Sequence, residues 1–330
     1  MSFKQFEDRD IVLSTEPIIS TAWSDSVVDL STFPTSSIQE GSSTGDFFLE
    51  IYNQDPTQPG SIQTQFSVAY ANVSGSGATP FNTQAPENTP TSVLYKQIRT
   101  LIYKNSIDKI PFGTGDNIYE SEDFFLINVD RGRYKEKIAP GSLKLTLSYN
   151  SNEIVLSDKS DDPSQITDTQ IGQAIELKSN VSGSVEDSGS YGKLLPEAGL
   201  ILLNPKALQA DVADGGIELN SSISSSKNYL KVYNAIDEGG SFFLASKETV
   251  ASNFFFIRIR NDEFNYTLNP SARDEQGNIR YPELIDNPVV YVTTIGLYND
   301  NRDLVAVAKL SRPLQKSFTK EGSFAIKLDY

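Results

Sequence analysis

The sequence has neither cysteine nor histidine among its 330 residues, and it has only one methionine and one tryptophan. Without cysteine there is no disulfide, no thiol nucleophile and no thiolate-held metal. Without histidine there is no Ser-His-Asp triad, no His-ligated zinc and no histidine general base. What remains for catalysis is carboxylate, Lys, Tyr or Ser-Lys chemistry, or Mg²⁺ and Ca²⁺ held by oxygen ligands. The missing cysteine leaves the redox compartment open. It suits a protein that meets both the cytosol and the outside world.

Basic residues are the minority, 28 Lys and Arg against 43 Asp and Glu, for a formal net charge of −15. Phosphate backbones are repelled by that balance, so no nucleic-acid partner is expected. The acidity reads as a solvated surface that resists nonspecific association. No run approaches the ~20 apolar residues that span a bilayer, so membrane insertion is not expected. The opening Met1-Ser2-Phe3-Lys4-Gln5-Phe6-Glu7-Asp8-Arg9-Asp10 has no apolar signal core, and the chain is expected to fold where it is made.

Hydrophobic residues make up 38% and aromatic residues 10%, enough for a real core. The polar excess lies in Ser, Thr, Asn and Gln, which favours strands joined by turn-rich loops. The pattern predicts a mainly β protein: an antiparallel β-sandwich or barrel-like body, one or two short helices and an extended N-terminal arm. Three parts are expected: the arm over 1–45, a first β-rich part with one helix over 46–160, and a second β-rich part over 161–330. The last two can form one domain.

The arm carries Phe3, Phe6, Ile11, Trp23 and Phe33 among Ser, Thr and Asp, with no sustained period. Two readings are open: an irregular entry segment lying on its own domain, or an arm whose apolar anchors dock on a neighbouring subunit. Strands are predicted over 46–53, 61–70, 124–129, 143–149, 154–156, 200–203 and 254–260 by alternation or apolar runs. In the last of these, Phe255, Ile257 and Ile259 face inward. The clearest hairpin joins 289–298 to 304–310, and 324–330 alternates to the final residue, implying a pairing partner in this chain or another. A long loop runs from Ser74 to Thr89. One helix opens at Thr89-Pro90 with Leu94, Ile98, Leu101 and Ile102 on one face. Another opens at Asn204-Pro205 and is ended by Gly215-Gly216. No fixed-period repeat is visible.

Sites of chemistry are weak. Asn299-Asp300-Asn301-Arg302-Asp303 offers alternating oxygens but lacks the Gly and distal Glu of a calcium loop, so it reads as a hairpin turn. Gly113-Thr114-Gly115 lacks the Lys and Ser/Thr of a phosphate loop. Arg131, Arg133, Lys135 and Lys137 form the densest basic cluster and would share one strand face. No catalytic residue, cofactor or metal ligand is expected.

Several segments carry a resemblance: Thr21-Ala22-Trp23-Ser24, Ser67-Val68-Ala69-Tyr70 followed by Gly75-Ser76-Gly77, Asn88-Thr89-Pro90-Thr91, and Leu94-Tyr95-Lys96-Gln97-Ile98-Arg99. To these are added the run from Asn128 to Gly141, Asn265 to Ser271, Thr293 to Asp300 and Val307 to Leu314. In this order they resemble virion structural proteins of large contractile-tailed phages (myoviruses), notably those infecting marine cyanobacteria. The resemblance implies assembly in a bacterial cytoplasm, a place in the tail or baseplate, many copies per particle and other virion proteins as partners. It brings no catalytic residues. The candidate partner interface is Phe3, Phe6, Ile11, Trp23, Phe33, Arg131 and Arg133. The alternatives are a head or neck decoration protein and a host-recognition module, the latter favoured if Phe81, Tyr119 and Tyr191 stand exposed on loops. A carboxylate glycosidase is the remaining alternative.

Overall fold

A computed structural model describes residues 3–36, 47–77, 89–103, 109–181, 188–222, 227–267 and 269–329. The chain is mainly β, 44% strand and 17% helix, with a large curled antiparallel sheet and four short helices among the described residues. It divides into two compact units: unit 1 is Met1–Pro17 with Thr249–Tyr330, and unit 2 is Ile18–Glu248. The division expected from the sequence, at 45 and 160, is not the one observed. The N-terminal segment is shared between the two units and forms no separate arm.

In chain order, β1 (Ile11–Thr21) and β2 (Asp29–Leu30) precede β3 (Phe48–Tyr52) and β4 (Thr64–Asn72). Helix α1 (Pro90–Tyr103) leads to β5 (Ile110–Phe112), β6 (Tyr119–Ser121), β7 (Asp123–Val129) and β8 (Lys137–Ile138). Next come β9 (Lys144–Tyr149), β10 (Asn152–Asp158), β11 (Ile166–Thr169), β12 (Gly172–Ser179), β13 (Gly192–Leu195) and β14 (Leu200–Leu203). After α2 (Pro205–Gln209) and α3 (Asn228–Gly239) lie β15 (Phe242–Phe243) and β16 (Ala245–Ile259). The order ends with α4 (Glu283–Asp286), β17 (Val290–Tyr298), β18 (Leu304–Lys316) and β19 (Gly322–Asp329).

Unit 2 is built on the curled sheet, in the order β2-β15-β9-β10-β12-β13-β14-β7-β4-β3, with β11 beside β12. Its central strands are apolar on both faces because both faces are covered. Phe66, Val68 and Tyr70 of β4, Phe125, Ile127 and Val129 of β7, and Ile201 and Leu203 of β14 enter one core. Their alternating neighbours, Ala69, Ala71, Phe124, Leu126, Leu200 and Leu202, enter a second. The two-residue period of a strand sends successive side chains to opposite faces, so a strand covered on both sides reads as a continuous apolar run.

Helix α3 closes the first core with Tyr229, Val232, Tyr233, Ala235 and Ile236. Helix α1 and the β5–β6 hairpin close the second. In α1 the buried stripe is Tyr95, Ile98 and Ile102, while Leu101, expected inside, is 40% exposed. The Tyr95 hydroxyl has two partners inside. It donates to the Ser121 carbonyl at 2.6 Å and accepts from the Ile110 N–H at 3.0 Å, tying α1 to the β5–β6 hairpin. Asn204 caps α2 as expected, its side chain accepting from the Lys206 N–H at 3.1 Å. That helix ends at Gln209. Gly215, with φ 87°, then closes a separate 3-10 turn. Asn150 and Ser151, both at positive φ, make the two-residue turn between β9 and β10.

In unit 1 the C-terminal strand finds its partner within the chain: β19 pairs antiparallel with β16 from Ser252↔Asp329 to Ile259↔Gly322. Strand β1 lies on the other side of β16. Phe255, Ile257 and Ile259 share a face with Ile326 and Phe324, the inward face expected of them. Strands β17 and β18 form a two-stranded sheet of their own. The turn joining them is closed by Asn299, whose Oδ1 accepts from the Asp303 N–H at 2.8 Å, so the alternating oxygens serve the hairpin.

Candidate interaction surface

The residues proposed from the sequence as partner anchors part company in the structure. Trp23 and Phe33 lie inside unit 2, with 3% and 2% of their surface exposed. The Trp23 indole N–H donates to the Phe242 carbonyl at 2.8 Å, and its ring packs edge-on against Phe242 at 4.9 Å. Phe33 stands edge-on to Phe66 at 6.1 Å, and its carbonyl accepts from the Tyr233 hydroxyl at 2.9 Å. Both side chains are spent on the core, which corrects the reading of them as docking anchors. The sequence shows the apolar residues but not which elements fold back to cover them.

The basic cluster makes most of its contacts within the chain. Residues 131–133 form a turn, so Arg131, Arg133, Lys135 and Lys137 do not share a strand face. The Arg131 guanidinium donates to the carbonyls of Tyr134 and Lys135 at 2.7 and 2.6 Å and lies over the Tyr134 ring. Arg133 is half-buried, and its Nε has no hydrogen-bond partner. Lys135 pairs with Glu248, and Lys137 with Glu197 at 3.2 Å. Arg131 therefore braces the turn that follows it, and the four basic residues do not line up on one face.

Phe3, Phe6 and Ile11 belong to unit 1, and there the picture reverses. Every member of the two core clusters lies between residues 22 and 244, outside unit 1. Among the described residues, unit 1 buries only four apolar side chains: Ile259, Ala272, Leu297 and Ile326. It exposes Phe3, Ile11, Val12, Leu13, Phe256, Tyr266, Tyr281, Ile285, Tyr291, Tyr298, Leu304, Val305, Val307 and Phe318. Leu13 is 76% exposed and Val305 65%. Ile11, Val12 and Leu13 are consecutive strand residues, so β1 presents apolar side chains to both sides.

Part of this surface is organised. Phe3 stands edge-on to Tyr298, ring centroids 5.2 Å apart, and Arg302 lies 5.8 Å from the Phe3 ring. Tyr298 and Leu304 lean over Gly296, whose missing side chain leaves them room: an added Cβ would sit 3.0 Å from the tyrosine ring and 3.1 Å from the leucine. Phe6 packs on Phe255 at 5.4 Å. What else holds unit 1 together is polar. The buried Lys316 ammonium donates to the carbonyls of Asn261 and Ser317 and to the Asn265 side chain, at 2.9, 3.1 and 2.9 Å. Lys4–Glu263, Arg258–Glu321 and Lys327–Glu16 are surface pairs at 2.8, 2.9 and 3.1 Å, each worth little in water.

Charge separates along the same line. Of the chain's 28 basic and 43 acidic residues, unit 1 holds 12 and 14, a net of −2, leaving 16 and 29 in unit 2, a net of −13. Unit 1 is thus nearly neutral and exposes large apolar side chains, whereas unit 2 carries most of the acidic charge.

One ion pair is enclosed in unit 2. Glu176 and Lys193 face each other across β12 and β13 and form an ion pair with 0% and 1% of their surfaces exposed. The Glu176 carboxylate also accepts from the Ser190 hydroxyl and from the Gly113 N–H, the latter at 3.1 Å. With partners on both oxygens and no solvent contact, the pair staples the β5–β6 region to the sheet. The Glu176–Lys193 pairing gave no sequence signal beyond two charges inside apolar strands. Among the described residues no three acidic side chains gather to hold a metal. Phe81 lies outside the described residues. Tyr119 is half-buried in β6, and Tyr191 is buried with its hydroxyl on the Gly215 carbonyl at 2.8 Å.

Comparison of the chain with protein-family models, with curated proteins and with solved structures finds no match.

Proposed function

We propose that the chain is a non-enzymatic structural component of a contractile phage tail or baseplate, acting through subunit–subunit interfaces, with unit 1 as the docking part. The observation that carries this reading is the apolar surface of unit 1. Among the described residues, fourteen large apolar side chains are exposed there against four apolar residues buried. Exposed apolar side chains in this proportion to buried ones are a cost on a lone chain, and repeated copies around a symmetry axis are one way to cover them. The sequence resemblance to myovirus virion proteins supplies the particle. The acidic body supplies solubility before assembly. The partners are then other tail or baseplate proteins, and the place of assembly is the host cytoplasm.

The test is incorporation. Particles purified from cells in which this chain is the only source of the component are expected to contain it. A Tyr298→Ser/Leu304→Ser/Val307→Ser chain should fold, keeping its circular dichroism, yet be depleted from particles. A wild-type chain absent from every virion fraction would overturn the proposal. Head or neck decoration uses the same chemistry at another station, and locating the chain in the density of intact particles separates the two. A host-recognition role draws no support from Tyr119 or Tyr191, which are half-buried and buried.

A further inference from the structure

The two strands of the isolated hairpin in unit 1 are built very differently along their outer edges. Strand β18 is guarded. Between the pairs Val292↔Leu314 and Thr294↔Lys309 it loops out Leu310, Ser311, Arg312 and Pro313 opposite the single Thr293. Between Leu297↔Ala306 and Tyr298↔Leu304 it adds Val305. Bulges, proline and cationic side chains are the devices by which natural sheets prevent edge-to-edge pairing. Strand β17 has none of them. Its nine residues, Val290 to Tyr298, carry no charge and no proline and are rich in Val, Thr, Tyr and Ile. The extra residues of both irregularities lie on β18, so β17 runs without insertion. Among the described residues its backbone pairs with β18 alone, leaving one row of N–H and C=O groups without a strand beside it.

We propose that this edge pairs antiparallel with the same edge of a second copy of the chain, joining two hairpins into a four-stranded sheet across a twofold axis. Charge selects the occupant. In antiparallel pairing about a twofold axis the central residues face each other and each end faces the opposite end, so a strand carrying charge of one sign sets like charges across the seam. An uncharged β17 meets no such penalty, while unit 2, at −13, keeps the rest of each copy apart. The benefit is also structural. A lone two-stranded ribbon is marginal in water, and three or more strands with an apolar face are stable. The inference rests on the proposed structural role and names the partner for one of its surfaces.

Thr294 is exposed and stands fifth of nine in β17, so it tests the pairing without touching a core. Sedimentation equilibrium of the full chain is expected to show a concentration-dependent dimer or a higher even-numbered state. Thr294→Lys and Thr294→Glu, each alone, should weaken association at least tenfold. An equimolar mixture of the two should restore it, because opposite charges then face each other across the axis. Added salt should weaken the mixed pair and strengthen each like-charged one. A wild-type chain that stays monomeric across the concentration series overturns the inference, as does a Thr294→Lys chain that associates like wild type. A monomer that still enters virions fails this inference alone, and one that enters none fails the structural reading as well.

Discussion

Strand β14 in unit 2 reads Leu200-Ile201-Leu202-Leu203, and the start of β18 in unit 1 reads Leu304-Val305-Ala306-Val307-Ala308. The first is buried at every position, whereas in the second Leu304, Val305 and Val307 are exposed and the two alanines half-buried. Both are apolar runs with high strand propensity. What differs is the cover. Unit 2 places α3 behind one face of its sheet, and α1 with the β5–β6 hairpin behind the other. Unit 1 has only short segments to offer, among them the stretch bearing Phe3 and Phe6. Hydrophobicity decides that such a strand forms, and the supply of neighbouring elements decides whether it is finished inside the molecule. An unfinished strand is where the proposed partner would pack.

This comparison predicts two stabilities in one polypeptide, and the largest effect is expected in unit 2. Lys193→Ala leaves the Glu176 carboxylate buried without its counter-ion, a loss of about 3–5 kcal/mol. Replacing both residues, Lys193→Met with Glu176→Leu, should recover most of it, since a well-packed apolar pair matches a buried ion pair. Trp23 is the only tryptophan and sits in the unit 2 core, so its fluorescence in a urea titration reports that unit alone. Circular dichroism reports both units. At low protein concentration the dichroism transition should begin before the fluorescence transition, as non-coincident probes reveal separate units. Coincident curves in the wild type would show one cooperative unit in place of two.

A smaller effect is expected from alkali. Burial pushes the Tyr95 hydroxyl up from 10.0 to about 12, against a weaker opposing pull from the Ile110 N–H. The folded state therefore favours the protonated phenol. That contribution is complete below pH 10, the range in which the unfolded chain also keeps the proton, and it is lost as pH rises towards 12. Unit 2, followed through Trp23, should lose urea resistance between pH 10 and 12. Part of that loss should be absent in Tyr95→Phe, which starts less stable because the Ile110 N–H loses its acceptor. An identical pH slope in the two proteins would remove Tyr95 from the account.

Much of unit 2 was legible in the sequence. The β9–β10 hairpin, the runs that became β7 and β14, and the Asn204 cap each follow from local chemistry. Helix α3 was also legible but is easily passed over. Tyr229, Val232, Tyr233 and Ile236 fall at helical spacing, and the segment ends on two glycines, the second at φ 62°. The fates of Trp23 and Phe33 were not legible, because burial there depends on β15 and α3, some two hundred residues away. Arg131 and Lys137 read as a strand face only if residues 131–137 extend, and the Asp130–Arg133 turn prevents it: the Arg133 N–H bonds the Asp130 carbonyl at 2.8 Å. The apolar surface of unit 1 lay open to view as composition. Its exposure could not be read, since it depends on which segments fold over which strands.

The smallest effect is expected on the exposed face of unit 1. Leu304 and Val307 are 53% and 58% exposed, so replacing either with serine removes little buried apolar area within the chain. The expected change in unit 1 stability for a dilute, unassociated chain is within about 0.5 kcal/mol, the ordinary range for surface substitutions. Leu202, its counterpart in the second core, is fully buried, and Leu202→Ala should cost about 2–5 kcal/mol. The same two positions in unit 1 should matter in the assembled state, where a partner would exclude water from them. A substitution silent in the free chain and costly in the assembly locates the missing cover outside the polypeptide. If Leu304→Ser instead destabilises the dilute chain as much as Leu202→Ala does, the side chain is already covered by its own fold, and unit 1 needs no partner to finish it.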